Sequence, residues 1–236
     1  MAPVASFSND KWDGARPDGG VRGPGRVGGL CGFGRFRRDR GCGGVPPVTR
    51  IIAGAVGGRR IDVPPGGTRP TSDRVREALF SALDADPGLA GVAVLDLCAG
   101  SGALGLEALS RGAAHALFVE SDRRAAATLR RNIAALGLGA EAQVRAAPAG
   151  SVLAGPAPRG YDLLLIDPPY AMADPEIAGW LRDAWAHGWL AGEAIVVVER
   201  PARSGAFEWP EPIRALRDRR YGDTVLHVGL CYGSPP

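Results

Sequence analysis

Lysine is almost missing from this chain. Lys11 is the single one in 236 residues, so nearly all of the 28 basic side chains are arginine. Histidine is scarce as well, and His115, His187 and His227 sit at spacings that make neither a catalytic triad nor a metal-ligand set. The four cysteines, Cys31, Cys42, Cys98 and Cys231, are scattered. Their spacing excludes a zinc-type frame, predicts no metal site and no disulfide network, and suits reduced thiols in a cytoplasm. No apolar run reaches the roughly 18 residues of a membrane helix, and the first residues lack the apolar core of a signal peptide. What is plentiful is aliphatic surface. Hydrophobic residues make up 45% of the chain, enough for one domain with a sizeable core.

That aliphatic content is unevenly placed. Residues 1–47 are rich in Gly, Pro and Arg and hold Lys11 and seven arginines against Asp10, Asp13, Asp18 and Asp39. A segment of this composition cannot bury enough apolar area to offset its ordering entropy, so it is predicted to be disordered. It reads as a basic arm, an inert linker, or a stretch upstream of a true start at Val48, the last being favoured. With a net charge of +3 for the whole chain and +4 for this stretch, the remainder is close to neutral. Nucleic-acid binding by the folded part would need a local patch.

From residue 48 the pattern is regular. Residues 48–90 read as a short hairpin, Arg50–Ala53 with Arg60–Val63, followed by a helix capped by Thr71 or Ser72. That helix buries Val75, Ala78, Leu79, Ala82 and Leu83 and leaves Arg74, Arg76 and Glu77 off the stripe. Residues 91–236 then alternate. Strands are predicted at 92–97, 116–120, 142–145, 163–166 and 194–199, and helices at 103–110, 122–136 and 175–186. This rhythm predicts an α/β fold: a doubly wound, mostly parallel seven-stranded sheet of the Rossmann-like kind. Arg214–Tyr221 and Val225–Leu230 flank Gly222-Asp223 and predict an antiparallel hairpin at one edge.

Two turns carry the chemistry. The first, Gly100-Ser101-Gly102 with Gly105, lies between a strand and a helix. Small residues let the backbone approach a ligand, and the helix start offers free N–H groups. The Gly-x-Gly-x-x-Gly spacing leaves a nicotinamide cofactor and a methyl donor both open. Asp96, on the strand before the turn, suits a cationic ligand end better than a pyrophosphate. Glu120, about 20 residues after the glycines, stands where a ribose-binding carboxylate belongs, with Ser121 beside it. The second turn is Asp167-Pro168-Pro169-Tyr170. Consecutive prolines fix φ and remove two donors, leaving a rigid turn whose acceptors are the Asp167 carboxylate and the Pro168 carbonyl. Two acceptors can hold both N–H groups of an exocyclic amine, and Tyr170 offers a stacking face. Together the turns point to a methyltransferase that uses S-adenosylmethionine on a nucleobase.

With those residues in view, residues 49–232 resemble the RsmD-type family of small-subunit rRNA guanine-N2 methyltransferases. The two turns are shared by many amino methyltransferases. The selective resemblance lies in Arg50–Gly54, Gly58–Arg60, Thr68–Phe80 and Glu107–Ala113. It implies methyl transfer to the 2-amino group of one guanine in 16S rRNA, in a ribosomal assembly intermediate; a cytoplasmic monomer is expected. Arg50, Arg59, Arg60 and Arg69 are the candidate RNA contacts, with Arg219 and Arg220 behind them. Adenine N6, cytosine N4 or glutamine as acceptor, and a non-catalytic RNA-binding module, remain alternatives. One departure from the family pattern is the run Arg145-Ala146-Ala147-Pro148, which offers no polar side chain for the cofactor adenine beyond the strand's last arginine.

Overall fold

A computed structural model of the chain describes residues 48–64 and 72–233. The predicted disorder of residues 1–47, and Arg69 with the rest of the Thr68–Thr71 segment, lie outside the described residues. Thr49, Arg50 and the strand β2 (Arg60–Asp62) make the first hairpin, in which β1 (Val48–Arg50) runs antiparallel to β2. The helix α1 (Asp73–Ala85) follows, and Ser72 is its N-cap: its hydroxyl accepts from the Val75 amide at 3.4 Å.

The main sheet has seven strands: β3 (Ala93–Leu97), β4 (His115–Val119), β5 (Ala142–Arg145), β6 (Tyr161–Ile166), β7 (Leu190–Pro201), β8 (Ile213–Tyr221) and β9 (Thr224–Cys231). Their order is β5-β4-β3-β6-β7-β9-β8. The first five run parallel; β9 is antiparallel to β7 and to β8. The crossovers are α2 (Ala103–Ser110), α3 (Arg123–Leu136), a short α4 (Ala149–Leu153) and α5 (Asp174–Ala186). The central strands read as nearly unbroken apolar runs because both faces are covered. One face packs Val94, Phe118, Leu163 and Leu165 against α1, α2 and α3, and the other packs Leu95, Leu117, Leu164 and Val196 against α4 and α5.

Two features depart from the expected picture. The segment 48–90 shares the core: Ile51, Ile61, Val75, Leu79 and Phe80 are buried with the strands of the main sheet. Arg76, placed off the apolar stripe by periodicity, is fully buried. Its Nη2 donates to the Arg50 carbonyl at 2.7 Å and the Asp73 carboxylate at 2.7 Å, so the hairpin and α1 close around a paired cation. Trp189 lies just beyond α5, fully buried with its ring stacked on Tyr161. Among the described residues no helix is long and apolar enough to cross a membrane.

Candidate active site

Both loaded turns leave the same rim of the sheet. β3 and β6 are parallel neighbours in register Leu97↔Ile166, so the chain emerges from them side by side as Cys98 and Asp167. The crevice between them is where the winding direction of the sheet reverses, with β4 and β5 on one side and β7 on the other. Open α/β sheets bind ligands there.

The glycine turn divides its labour. Gly100 has φ +55, and a Cβ built on it would meet nothing nearer than 3.9 Å, so it presents bare backbone to open space. Gly102 has φ +82, and its Cβ would fall 2.3 Å from Leu129 on α3. At Gly105 a Cβ would fall 2.3 Å from Phe118. Only the first glycine therefore borders open space, and the other two let α2 sit close to the sheet and to α3. Gly100→Ala should fold, at a cost of about 1–2 kcal/mol for its left-handed backbone, yet lose donor affinity. Gly102→Ala adds a clash to that strain and should unfold at clearly lower temperature; paired thermal melts and donor titrations separate the two effects.

Carboxylates brace this turn from two strands. Asp96 is buried, and its Oδ2 accepts from the Gly105 amide at 2.9 Å. Glu120, also buried, accepts from the Gly100 amide at 2.8 Å through one oxygen and from the Asp122 amide at 2.7 Å through the other. Each oxygen keeps a further lone pair. Ser101 is buried, its carbonyl held by the Asn132 side-chain amide at 2.9 Å, and the same amide reaches the Asp62 carbonyl at 2.9 Å. Ser121 is exposed next to Glu120. Asn132 was not a sequence candidate; an asparagine one position from Ile133 on the apolar stripe of α3 is the signal that could have found it.

Charges from both turns act on Asp96 and Cys98. Burial pushes the Asp96 carboxyl up to about 8, with the Asp167 and Glu120 charges adding to it and the Gly105 N–H opposing it. Burial also pushes the Cys98 thiol up to about 12, helped by Glu120, Asp167, Asp96 and Glu176. Acidic groups from four separate segments thus bear on one residue of the glycine turn, and a cationic ligand is what such a cluster accommodates. A positively charged sulfonium donor fits these residues: bare backbone at Gly100, a helix start behind it, and carboxylates around it.

The sign of the Asp96 shift gives a prediction. Between its ordinary value of 3.8 and about 8 the folded protein holds a proton that the unfolded chain releases. That contribution to stability is full below 3.8 and is lost as pH rises through about 8. The donor-free protein should therefore lose stability from pH 6 to 9, and Asp96→Asn should flatten that slope. Affinity for a cationic donor should rise over the same interval in the native protein and not in the variant; melts and calorimetric titrations across pH check both.

In the second turn Asp167 is half-buried, Pro168 buried, and Pro169 and Tyr170 exposed. The Tyr170 hydroxyl lies 3.3 Å from the Thr224 hydroxyl at the start of β9. The candidate arginines are less uniform. Arg50 is exposed and pairs with Asp73 at 3.2 Å. Arg60 is exposed. Arg59 is exposed and donates to the Ala135 and Leu136 carbonyls in the last turn of α3. There it satisfies carbonyls that the helix leaves open. A helix of 14 residues is about 21 Å long, and Arg59 sits at the end away from Glu120. Arg145, exposed at the end of β5, places its guanidinium over the Trp189 ring at 5.4 Å.

A Rossmann-like sheet with a reversed terminal hairpin, a glycine turn after its first strand and an acidic residue at the end of the second defines the class I S-adenosylmethionine-dependent methyltransferases. Comparison with known proteins narrows this. The family described as conserved hypothetical protein 95 matches residues 49–229. Ribosomal RNA small subunit methyltransferase D of Escherichia coli is 43% identical over 181 residues, covering 76% of this chain and 88% of that protein. Among solved structures, the putative methyltransferase yhhF of Escherichia coli is 35% identical with a TM-score of 0.71, covering 79% of this chain and 99% of that one. A hypothetical protein of Thermus thermophilus is 32% identical with a TM-score of 0.64, covering 79% of this chain and 100% of that one. The chain belongs to this family, the RsmD-type methyltransferases.

Proposed function

We propose that the chain transfers the methyl group of S-adenosylmethionine to the exocyclic N2 of one guanine in 16S rRNA. It does so in the cytoplasm, as a monomer, on an assembly intermediate of the small ribosomal subunit. The observation that carries this reading is the convergence of the glycine turn and Asp167-Pro168-Pro169-Tyr170 on one rim, joined by the Leu97↔Ile166 register.

When bound, the donor supplies an electrophilic methyl on a sulfonium. Everything else is positioning by the chain. The free lone pairs of Glu120 accept the ribose hydroxyls, and Ser121 borders them. Gly100 and Ser101 let the donor lie against backbone, and with no polar side chain at Ala146-Ala147-Pro148 the adenine is read by backbone groups. Asp167 and the Pro168 carbonyl accept the two N–H groups of the guanine amine, which directs its lone pair toward the donor. Tyr170 stacks on the base, a contact worth about 1–3 kcal/mol. A base paired in a helix would first turn out of it. Orientation of this kind supplies much of a group-transfer rate.

RNA phosphates would be met on two sides. Arg50 and Arg60 are exposed on the first hairpin, and Arg69 follows in sequence. On the edge strand β8, Arg220 is exposed and Arg219 half-buried, near the β8–β9 turn where Thr224 meets the Tyr170 hydroxyl. Incubation with labelled methyl donor, offering immature small subunits, naked rRNA, DNA and protein in parallel, tests the reading. Label is expected in N2-methylguanosine from small-subunit RNA, with the subunit particle the better acceptor. Label in N6-methyladenine of DNA would falsify it.

A further inference from the structure

Arg200 is a buried cation that the chemistry above does not use. It lies near the end of β7, and its side chain is 4% exposed. Its Nη2 donates to the Met172 carbonyl at 2.6 Å, and its Nε lies 2.8 Å from the Asp174 carboxylate. Both partners belong to the segment that runs from Asp167-Pro168-Pro169-Tyr170 into α5. Met172 is itself tied back to the turn, since its amide donates to the Pro169 carbonyl at 2.9 Å. Nη1, Nε and the Asp174 Oδ1 that Nε faces are buried without a hydrogen-bond partner, so Asp174 is held as an ion pair and Met172 by the hydrogen bond. A guanidinium so placed lowers folding stability relative to an apolar residue of similar volume. Its contribution therefore lies in what it holds.

We infer that Arg200 is a positioning residue for methyl transfer: it fixes the backbone of residues 169–174, and with it the Asp167 and Pro168 acceptors and the Tyr170 ring, at the distance from the glycine turn that the amine requires. The geometry supports this from two sides. Arg200 grips the turn's exit through Met172 and Asp174, while Thr224 holds the Tyr170 hydroxyl from the neighbouring strand. β7 and β9 are paired there, Arg200 opposite Val225 and Pro201 opposite Thr224, so both grips are mounted on one rigid ladder. The acceptor turn is exposed at Pro169, Tyr170 and Ala171 and has no regular structure of its own. Its angle is set by ties of this kind. A shift of about 1 Å in a reacting group can cost on the order of a hundredfold in rate.

This inference rests on the proposed reading of residues 167–170 as the amine-binding turn, and its test separates the two. Wild-type protein is assayed with saturating donor on immature small subunits, beside Arg200→Gln, Arg200→Lys and Asp174→Asn. Donor affinity and thermal midpoint are measured for each. The expected result is a fall in kcat of about ten- to a hundredfold for Arg200→Gln, unchanged donor affinity, and partial recovery in Arg200→Lys, which can still reach the Met172 carbonyl. Asp174→Asn, less buried, should lower kcat in the same direction by less and keeps the test open if Arg200→Gln does not fold. An unchanged kcat in these variants, or donor affinity lost in proportion to kcat, overturns the inference. Wild-type protein inactive on every small-subunit RNA offered overturns the reading of the turn instead.

Discussion

Replacing Asp167 with alanine is expected to reduce methyl transfer by about a hundred- to a thousandfold, the range seen when one preorganised hydrogen-bonding group is removed from a reacting centre. Donor affinity should be nearly unchanged. The two results follow from where Asp167 sits. It leaves β6 one residue beyond Ile166, on the side of the crevice opposite the bracing of the glycine turn. That bracing is done by Asp96 and Glu120, whose oxygens hold the Gly105 and Gly100 amides. Removing Asp167 leaves those bonds intact but takes away one of two acceptors for the amine. Loss of one carboxylate from the acidic cluster is offset as Asp96, freed of a like charge, ionises more readily, so donor affinity should change little. The check is calorimetric donor titration beside single-turnover methylation. If donor affinity falls as far as the rate does, Asp167 belongs to the donor site and the assignment of the second turn is wrong.

The second large effect is on stability. Glu107 is fully buried on α2, and its two oxygens accept from the Ile52 amide at 2.6 Å, the Ala53 amide at 3.1 Å and Arg111 Nε at 2.7 Å. Arg111 is nearly buried and turns to Asp84 on α1 with its other arm. One carboxylate thus joins the first hairpin, α2 and α1. Glu107→Ala leaves two amides and part of a guanidinium without partners, and breaking a buried charge pair in this way costs about 3–5 kcal/mol. At roughly 2–4 °C per kcal/mol for a domain of this size, the thermal midpoint should fall by about 10 °C. Glu107→Gln keeps one good acceptor and should lose less. Residual activity per folded molecule should survive in both, since the Glu107 bonds run to the first hairpin and Arg111 and not to the Gly100 turn. Thermal melts with and without Arg111→Met in the same background separate the pair from the amide bonds.

Much of this was legible in the sequence because the signals were local. The run Val94–Leu97 ending at Gly100-Ser101-Gly102 could only be a buried strand feeding a tight turn. The helix expected at 122–136 starts at Arg123, with Asp122 as its N-cap accepting from the Ala125 amide at 2.7 Å. The α2 boundaries, 103–110, were met to the residue. What periodicity missed were residues whose role depends on partners far along the chain. Arg76 looked like a surface charge because, besides Asp73 on its own helix, its partners Thr49 and Arg50 are in another element. Arg59 looked free for RNA because nothing in sequence brings the end of α3, 76 residues on, to meet it. Glu107 stood inside a family motif with no reason attached until Ile52 and Ala53 were seen to donate to it. Arg200 carried no signal, since a basic residue ending a strand is the commonest of patterns. Short α4 escaped because five residues, Ala149–Leu153, hold too little periodicity to register.

The adjacency of two pockets across the β3–β6 crevice can be tested by binding alone. A compound joining an S-adenosylmethionine-like donor through a short linker to the N2 of guanosine would occupy both at once. Linked ligands that fit two neighbouring sites gain affinity from effective concentration. Such a compound should bind more tightly than the donor portion, compete with both donor and RNA, and lose its advantage in Asp167→Ala and Tyr170→Ala. Affinity no better than that of the donor portion, with RNA binding untouched, would contradict a shared rim.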